Sequence, residues 1–396
     1  MFNTSQIIAQ DNYRLFIILA AGSLTPMAGG VVAPVLPDLI TYLNIDLVLA
    51  GSLVSMHSLT IAIFAPFLGI LADKIGPSKL LIPGLIAYGF FGVLGAFMTT
   101  FWPLLLTRAL LGIAAGAIAA SSLGLLAQMY EGERQQTAIG YATAALTITG
   151  MIYPLLGGIV GANNWQYAFY LYGLAIPLGI MGKGAFSGQQ TTKKKAQSLN
   201  LGEQFSELFN NSLIWLALLI IALASLTMYA AIIYTPLYLK NTFSTPAELN
   251  GLVLALKAVG ATIISAFGAK LIAKFLGQRG AIALGFGIMA LMLAIVPNLP
   301  LFQLVFLTAI CFGMGFGLAL PNLYSILANI APEKLKSTVL AAGTGFGFLG
   351  QFFAPVILGP ILGFSGLESV FYAAAIIALF SGSILLTTHL HQMIRK

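Results

Sequence analysis

Three residues inside long apolar runs carry a charge or a titratable ring: His57, Arg108 and Lys257. A cation in a hydrocarbon environment is costly and normally faces protein or a water-filled cavity. Arg108 stands about five residues, or roughly 7 Å, inside its run, so it could line a cavity or reach back to the interface. His57 and Lys257 lie 200 positions apart. Each sits about eight residues, or roughly 12 Å, from the end of its run. Either could carry a proton or attract an anion. The alternatives are a neutral His57 hydrogen-bonded among helices and a Lys257 extending outward. None of the eleven acids falls at the centre of an apolar run. Asp38, at the end of the first run, comes nearest. It could carry a proton, coupled to Arg108, or simply end a helix.

Polar side chains that could touch a substrate are Ser23 and Thr25, then Ser225, Thr227, Tyr229 and Tyr234, then Asn322 and Tyr324. Serine and threonine in apolar helices often satisfy backbone carbonyls instead. A cavity with Arg108, Lys257 and His57 but no central carboxylate should take neutral amphipathic or anionic organic compounds rather than organic cations. No constellation suits an enzyme. The histidines are His57, His389 and His391, Cys311 is the single cysteine, and no GxxxxGK[ST] phosphate loop occurs. Catalytic residues, a metal and a cofactor are therefore not expected.

The elements that must position these residues follow from composition. Of 396 residues, 59% are hydrophobic and 7% charged, against about 25% charged in a soluble domain. So few charges cannot cover a water-soluble globule of this size. A helix crosses a bilayer with about 20 apolar residues. Twelve runs qualify: 14–37, 49–72, 79–99, 103–127, 137–161, 166–184, 212–239, 249–272, 280–298, 301–328, 337–359 and 368–388. They are too long and too continuously apolar for barrel strands. With the N-terminus inside, 15 of the 18 Lys and Arg residues fall on cytoplasmic segments. This positive-inside bias places both termini in the cytoplasm. The net charge of +7 is then topological and implies no nucleic-acid partner. Segment 185–211, with Lys193 to Lys195, reads as a cytoplasmic linker between six-helix bundles 1–184 and 212–396.

The halves repeat at an offset of 200 to 202. SLT at Ser23–Thr25 recurs at Ser225–Thr227, and Pro34 matches Pro236. Gly51 matches Gly251, Gly84 matches Gly285, and Gly112 and Gly116 match Gly313 and Gly317. Thr137, Pro154 and Gly158 match Thr338, Pro355 and Gly359. Internal repeats of this kind mark secondary transporters, which bind substrate near the midplane.

Three motifs carry a family resemblance. GILADKIGPSK, from Gly69 through Asp73, Lys74 and Gly76 to Lys79, resembles the cytoplasmic signature loop of the major facilitator superfamily. RALLGIAAG, Arg108 to Gly116, resembles its fourth-helix motif. GMIYPLLGG, with Pro154, Gly157 and Gly158, resembles the fifth-helix motif of its antiporters, although Tyr153 stands where glycine is usual. The twelve-helix drug:proton antiporter branch is most similar. The resemblance implies an all-α fold of two pseudo-symmetric six-helix bundles, with helices 1, 4, 7 and 10 around a central cavity. It also implies a conformational latch at Gly69, Asp73, Lys74 and Gly76, and close helix packing at Gly112, Gly116, Pro154, Gly157 and Gly158. The expected activity is alternating-access, proton-coupled export; uncoupled import or facilitation of a small metabolite is the alternative. The expected partners are the lipid bilayer of a plasma (inner) membrane, a small organic substrate and protons, with the chain a monomer.

Overall fold

A computed structural model describes residues 4–186, 211–332 and 335–387. The linker lysines Lys193 to Lys195 and the terminal His389 and His391 lie outside the described residues. Among the described residues the chain is helical, with no strand. Among the described residues, nine helices are long and apolar enough to cross a membrane, and a bent pair, Gln10–Gly22 with Met27–Leu43, makes a tenth span. Two of the nine, Ala247–Asn298 and Lys336–Leu386, are each about 50 residues long and break at Gly277 and Gly366. Dividing them there gives the expected twelve spans. Outward-facing Trp102, Phe267, Phe275 and Phe364 are each at least 70% exposed. An apolar surface of that kind suits acyl chains rather than water.

The first span departs from the continuous helix expected over 14–37. It stops at Gly22, turns through Ser23 to Pro26, and resumes as short pieces, Met27–Gly30, Ala33–Val35 and Leu36–Leu43. Pro26 and Pro34 lack the N–H a helix ladder needs, so the backbone breaks and leaves carbonyls to be satisfied from elsewhere. The eighth span also departs from regularity, with a π-turn at Ile264–Gly268.

Contacts divide the chain into two compact units: Met1–Asn44 with Met56–Gln197, and Ile45–Ser55 with Ser198–Lys396. The start of the second span, Leu47–Ile75, therefore groups with the second unit, where Gly51 faces Pro355 and Ile233.

The repeat is visible in backbone conformation. Asn44 (φ 49°) and Ser244 (φ 52°) are the two non-glycine residues with positive φ among the described residues, and they stand 200 apart. Each ends a helix in the left-handed conformation. Gly76 (φ 99°) and Gly277 (φ 73°) stand 201 apart, each joining two helices in a conformation that a side chain would strain. Two sequences with little side-chain identity thus share the same stops.

The crossing of neighbouring spans repeats as well. In the first unit Gly112 lies against the backbone of His57, 2.7 Å from its Cα for any added Cβ. In the second, Gly313 lies against the backbone of Lys257 and Ala261, with the Ala261 nitrogen 3.0 Å from such a Cβ. Small residues at these points let backbones meet, as membrane helices require for tight packing.

Candidate functional site

Arg108, on the fourth span Phe101–Met129, is 1% exposed and does not reach back to the interface. Its guanidinium donates to the Tyr172 hydroxyl at 2.9 Å and to the Ala28 carbonyl. Tyr172 in turn donates to Ala28 at 2.9 Å, with Met27 at 3.3 Å. Tyr88, fully buried on the third span, donates to the Leu24 carbonyl at 2.7 Å. The acceptors are carbonyls of the broken stretch in the first span. Arg108 and Tyr172 therefore supply donors to the Ala28 carbonyl within the short helix Met27–Gly30, and Tyr88 adds a second donor to the Leu24 carbonyl, which also accepts the Met27 N–H. The guanidinium also lies 5.4 Å from the Tyr172 ring centre and 5.9 Å from that of Phe169. This aromatic cradle, together with the carbonyls, offsets part of the cost of a buried cation.

Sequence reasoning found Arg108 but missed Tyr88, Phe169 and Tyr172. Nothing in their spacing sets them apart from other aromatics in an apolar chain. Pro26 was the available signal, because a proline within a span implies freed carbonyls and hence donors nearby. Tyr172→Phe should lower the thermal unfolding midpoint of the detergent-purified protein, reflecting a loss of about 1–3 kcal/mol from exposed pairing defects. An unchanged midpoint would show that the hydroxyl is not part of the clamp.

The fifth span packs on the same stretch. Gly157 faces the Val31 backbone, with Cα 2.7 Å from any added Cβ, and Pro154 and Tyr153 face Gly30. Gly157, Gly158 and Pro154 are buried. The motif is thus a close-packing surface for the broken half of the first span. Gly116 meets Leu68 and Ala65 of the second span.

Lys257, on the eighth span, is 4% exposed and does not extend outward. Its ammonium donates to the Ala231 carbonyl and to Thr235 Oγ1, both at 2.8 Å, and lies 5.6 Å from the Phe312 ring centre. Pro236 interrupts the same turn of the seventh span, Ser212–Phe243. A small cavity beside it, with room for about one water molecule, is lined by Thr308, Ala309 and Phe371 among others. A similar repair occurs on the tenth span. Pro321 removes the donor for the Gly317 carbonyl four residues earlier, and Ser265 Oγ donates to it at 2.8 Å from the π-turn.

The other candidates are dispersed. His57 is 2% exposed, with its Nε2 3.3 Å from the Ser58 hydroxyl. Asp38 is half-buried in the first turn of Leu36–Leu43. Tyr234 is buried and Tyr229 half-buried. The Asn322 amide donates to the Leu318 carbonyl at 2.8 Å, one turn back in its own helix. Asp73 and Lys74 are exposed at the end of the second span, beside buried Gly76, and Gly69 has open space around it. Thus the structure places Arg108 on the broken stretch of the first span and Lys257 on the proline-containing turn of the seventh, one in each unit, rather than in one polar cluster.

Twelve spans, repeated helix stops and a proline-broken first span describe a multi-pass membrane transporter. The family model of the Major Facilitator Superfamily matches residues 18–355 and again 248–392, and the chain belongs to that family. It is 26% identical to the Quinolone resistance protein NorA of Staphylococcus aureus (strain MSSA476), over 96% of this chain and 98% of that one. It is 27% identical to the Tetracycline resistance protein, class B, of Escherichia coli, over 79% of each. In fold it resembles a bacterial homologue of the human lysosomal transporter Spinster, with TM-score 0.80 and 14% identity over 95% of this chain and 96% of that one. It also resembles a D-xylose-proton symporter, with TM-score 0.75 and 14% identity over 95% and 97%.

Proposed function

We propose that this transporter exports small amphipathic or anionic organic compounds by alternating access, driven by protons moving the other way. The observation that carries this reading is similarity along nearly the whole chain to a protein named for quinolone resistance, together with similarity to one named for tetracycline resistance. Both compound classes are flat amphipathic ring systems with acidic groups. The spans hold Arg108 and Lys257 buried, and their positive potential favours such molecules over lipophilic cations.

Because both cations are occupied by carbonyls, they act on substrate through the backbone they hold. Direct contact and proton movement fall to Asp38, His57, Tyr229, Tyr234 and Asn322. The two bundles are 1–184 and 212–396, joined by the linker 185–211. The chain works as a monomer in a plasma (inner) membrane, both termini cytoplasmic. The experiment is uptake by purified protein in liposomes under an imposed pH gradient, with a quinolone, a tetracycline and a lipophilic cation compared. Accumulation of the first two supports the reading; strong transport of the cation with none of the acidic compounds contradicts it.

Gly69, Asp73, Lys74 and Gly76 form the latch. An exposed carboxylate there can engage helix N–H groups with a favourable energy of about 0.3–1 kcal/mol. Asp73→Asn should lower the transport rate about tenfold in the same liposomes while membrane level and thermal midpoint stay normal. A normal rate in Asp73→Asn would remove the latch role.

A further inference from the structure

Lys257 and Arg108 do not occupy matching sequence positions. The repeat mate of Arg108, at the offset of 201 that pairs Gly112 with Gly313, is Ala309; that of Lys257, at 200, is His57. Their surroundings nevertheless match. Arg108 bonds the Ala28 carbonyl of the first span. Lys257 bonds the Ala231 carbonyl of the seventh. At the offset of 202 that pairs Pro34 with Pro236, Ala231 corresponds to Gly29, the neighbour of Ala28. The same offset pairs Phe169, beneath Arg108, with Phe371, which lines the cavity beside Lys257. Ala309 lines that cavity too and is 2% exposed. The place filled by the guanidinium in the first unit is therefore filled in the second by an ammonium arriving from a different helix.

We propose that Lys257 is a positioning residue for transport, the relocated counterpart of Arg108, which holds the proline-containing turn of the seventh span as Arg108 holds the broken stretch of the first. Pro34 and Pro236, matched by the repeat at the offset of 202, each stand in the span on which the cation acts. A proline inside a helix removes one ladder hydrogen bond and loosens that turn, and a cation fixed on a neighbouring carbonyl holds it in place. An ammonium offers point-like donors on a flexible stem, whereas a guanidinium is a rigid planar fork whose donors reach partners on separate elements. Lysine suffices here because its acceptors, the Ala231 carbonyl and the Thr235 hydroxyl, lie one helical turn apart on one span. Arg108 must join the first span to Tyr172 of the sixth.

The test moves the charge back to the matching position. Four proteins are compared: wild type, Lys257→Ala, Ala309→Arg, and the double variant. A quinolone is the probe, in everted membrane vesicles with an imposed proton gradient, and thermal midpoints are measured on the purified proteins. Lys257→Ala should lose about tenfold in maximal rate with an unchanged KM, and its midpoint should fall. The double variant should recover to within about threefold of wild type in rate and regain most of the midpoint. Ala309→Arg alone should be impaired, since two cations would then compete for one place. A double variant no better than Lys257→Ala overturns the proposal, as does a normal rate or a change confined to KM in Lys257→Ala. If Lys257→Ala does not reach the membrane, membrane level becomes the readout, and Ala309→Arg must restore it. The proposal rests on transport but not on the substrate class. Should wild type fail to move the quinolone, the reading of substrate fails, and recovery of the midpoint in the double variant still decides the role of Lys257.

Discussion

Arg108→Met is expected to reduce transport at least a hundredfold and to lower the thermal midpoint more than any other single change on the first-span clamp. The methionine keeps an unbranched apolar stem but removes every donor. The Ala28 carbonyl then loses its cationic partner, and the Tyr172 hydroxyl loses the donor it accepts from at 2.9 Å. The Tyr172–Ala28 hydrogen bond remains, so the loss is that of hydrogen bonds to a charged group, about 1.5–3 kcal/mol each. Water cannot readily substitute, because Arg108 is 1% exposed and walled by Phe169 and Tyr172. Arg108→Lys separates this clamp from a purely electrostatic role. An ammonium keeps the charge but cannot fork to Tyr172 and Ala28 together, so about tenfold loss in rate is expected. If Arg108→Lys were fully active, the charge alone would matter and the clamp would not. Rates in liposomes and midpoints in detergent provide both readings.

The second large effect belongs to the helix crossings. Gly112→Val and Gly313→Val should each greatly reduce the amount of folded protein in the membrane. A Cβ at Gly112 would overlap the His57 backbone and Thr60, and one at Gly313 would lie 2.8 Å from the Lys257 carbonyl carbon. Backbone cannot give way as a flexible side chain can, so the helices must separate. Overpacking usually costs about 1–3 kcal/mol, and separation of two buried helices adds lost packing. Gly140→Val is the control: Gly140 is a helical glycine with nothing within 4 Å of an added Cβ, and its variant should accumulate normally. Membrane levels by quantitative blot and monodispersity after extraction check the comparison. Normal accumulation of Gly112→Val would mean that this crossing is looser than the geometry indicates.

Much of the architecture could be read from residue types. Continuous apolar runs set the spans, and shared offsets revealed the duplication that recurs in the φ angles of Asn44 and Ser244 and of Gly76 and Gly277. The break in the first span was less legible. Prolines at 26 and 34 were plain in the sequence, but a single proline can kink a helix or end it, and surrounding donors decide which. Those donors, Tyr88 and Tyr172, come from the third and sixth spans, and their hydroxyl directions depend on packing that no periodicity encodes. Arg108 and Lys257 were recognisable as costly, yet their purpose was not. Repeat arithmetic paired Lys257 with His57, whereas three-dimensional surroundings pair it with Arg108. A cation can reach one place from either of two neighbouring helices, so its position in the chain does not fix its position in space. Asn322 shows a feature that residue type alone hides: its amide N–H also satisfies its own helix at the Leu318 carbonyl.

The most direct test of proton-coupled export is proton movement upon addition of substrate. Purified protein is reconstituted in liposomes containing a pH-sensitive dye, a pH gradient is imposed, and a quinolone is added on the side from which the gradient should drive it. The account predicts a substrate-dependent collapse of the gradient, saturable and abolished in Arg108→Met. Quinolone flux that runs down its own gradient with no accompanying proton movement, and is indifferent to the imposed pH difference, would contradict it.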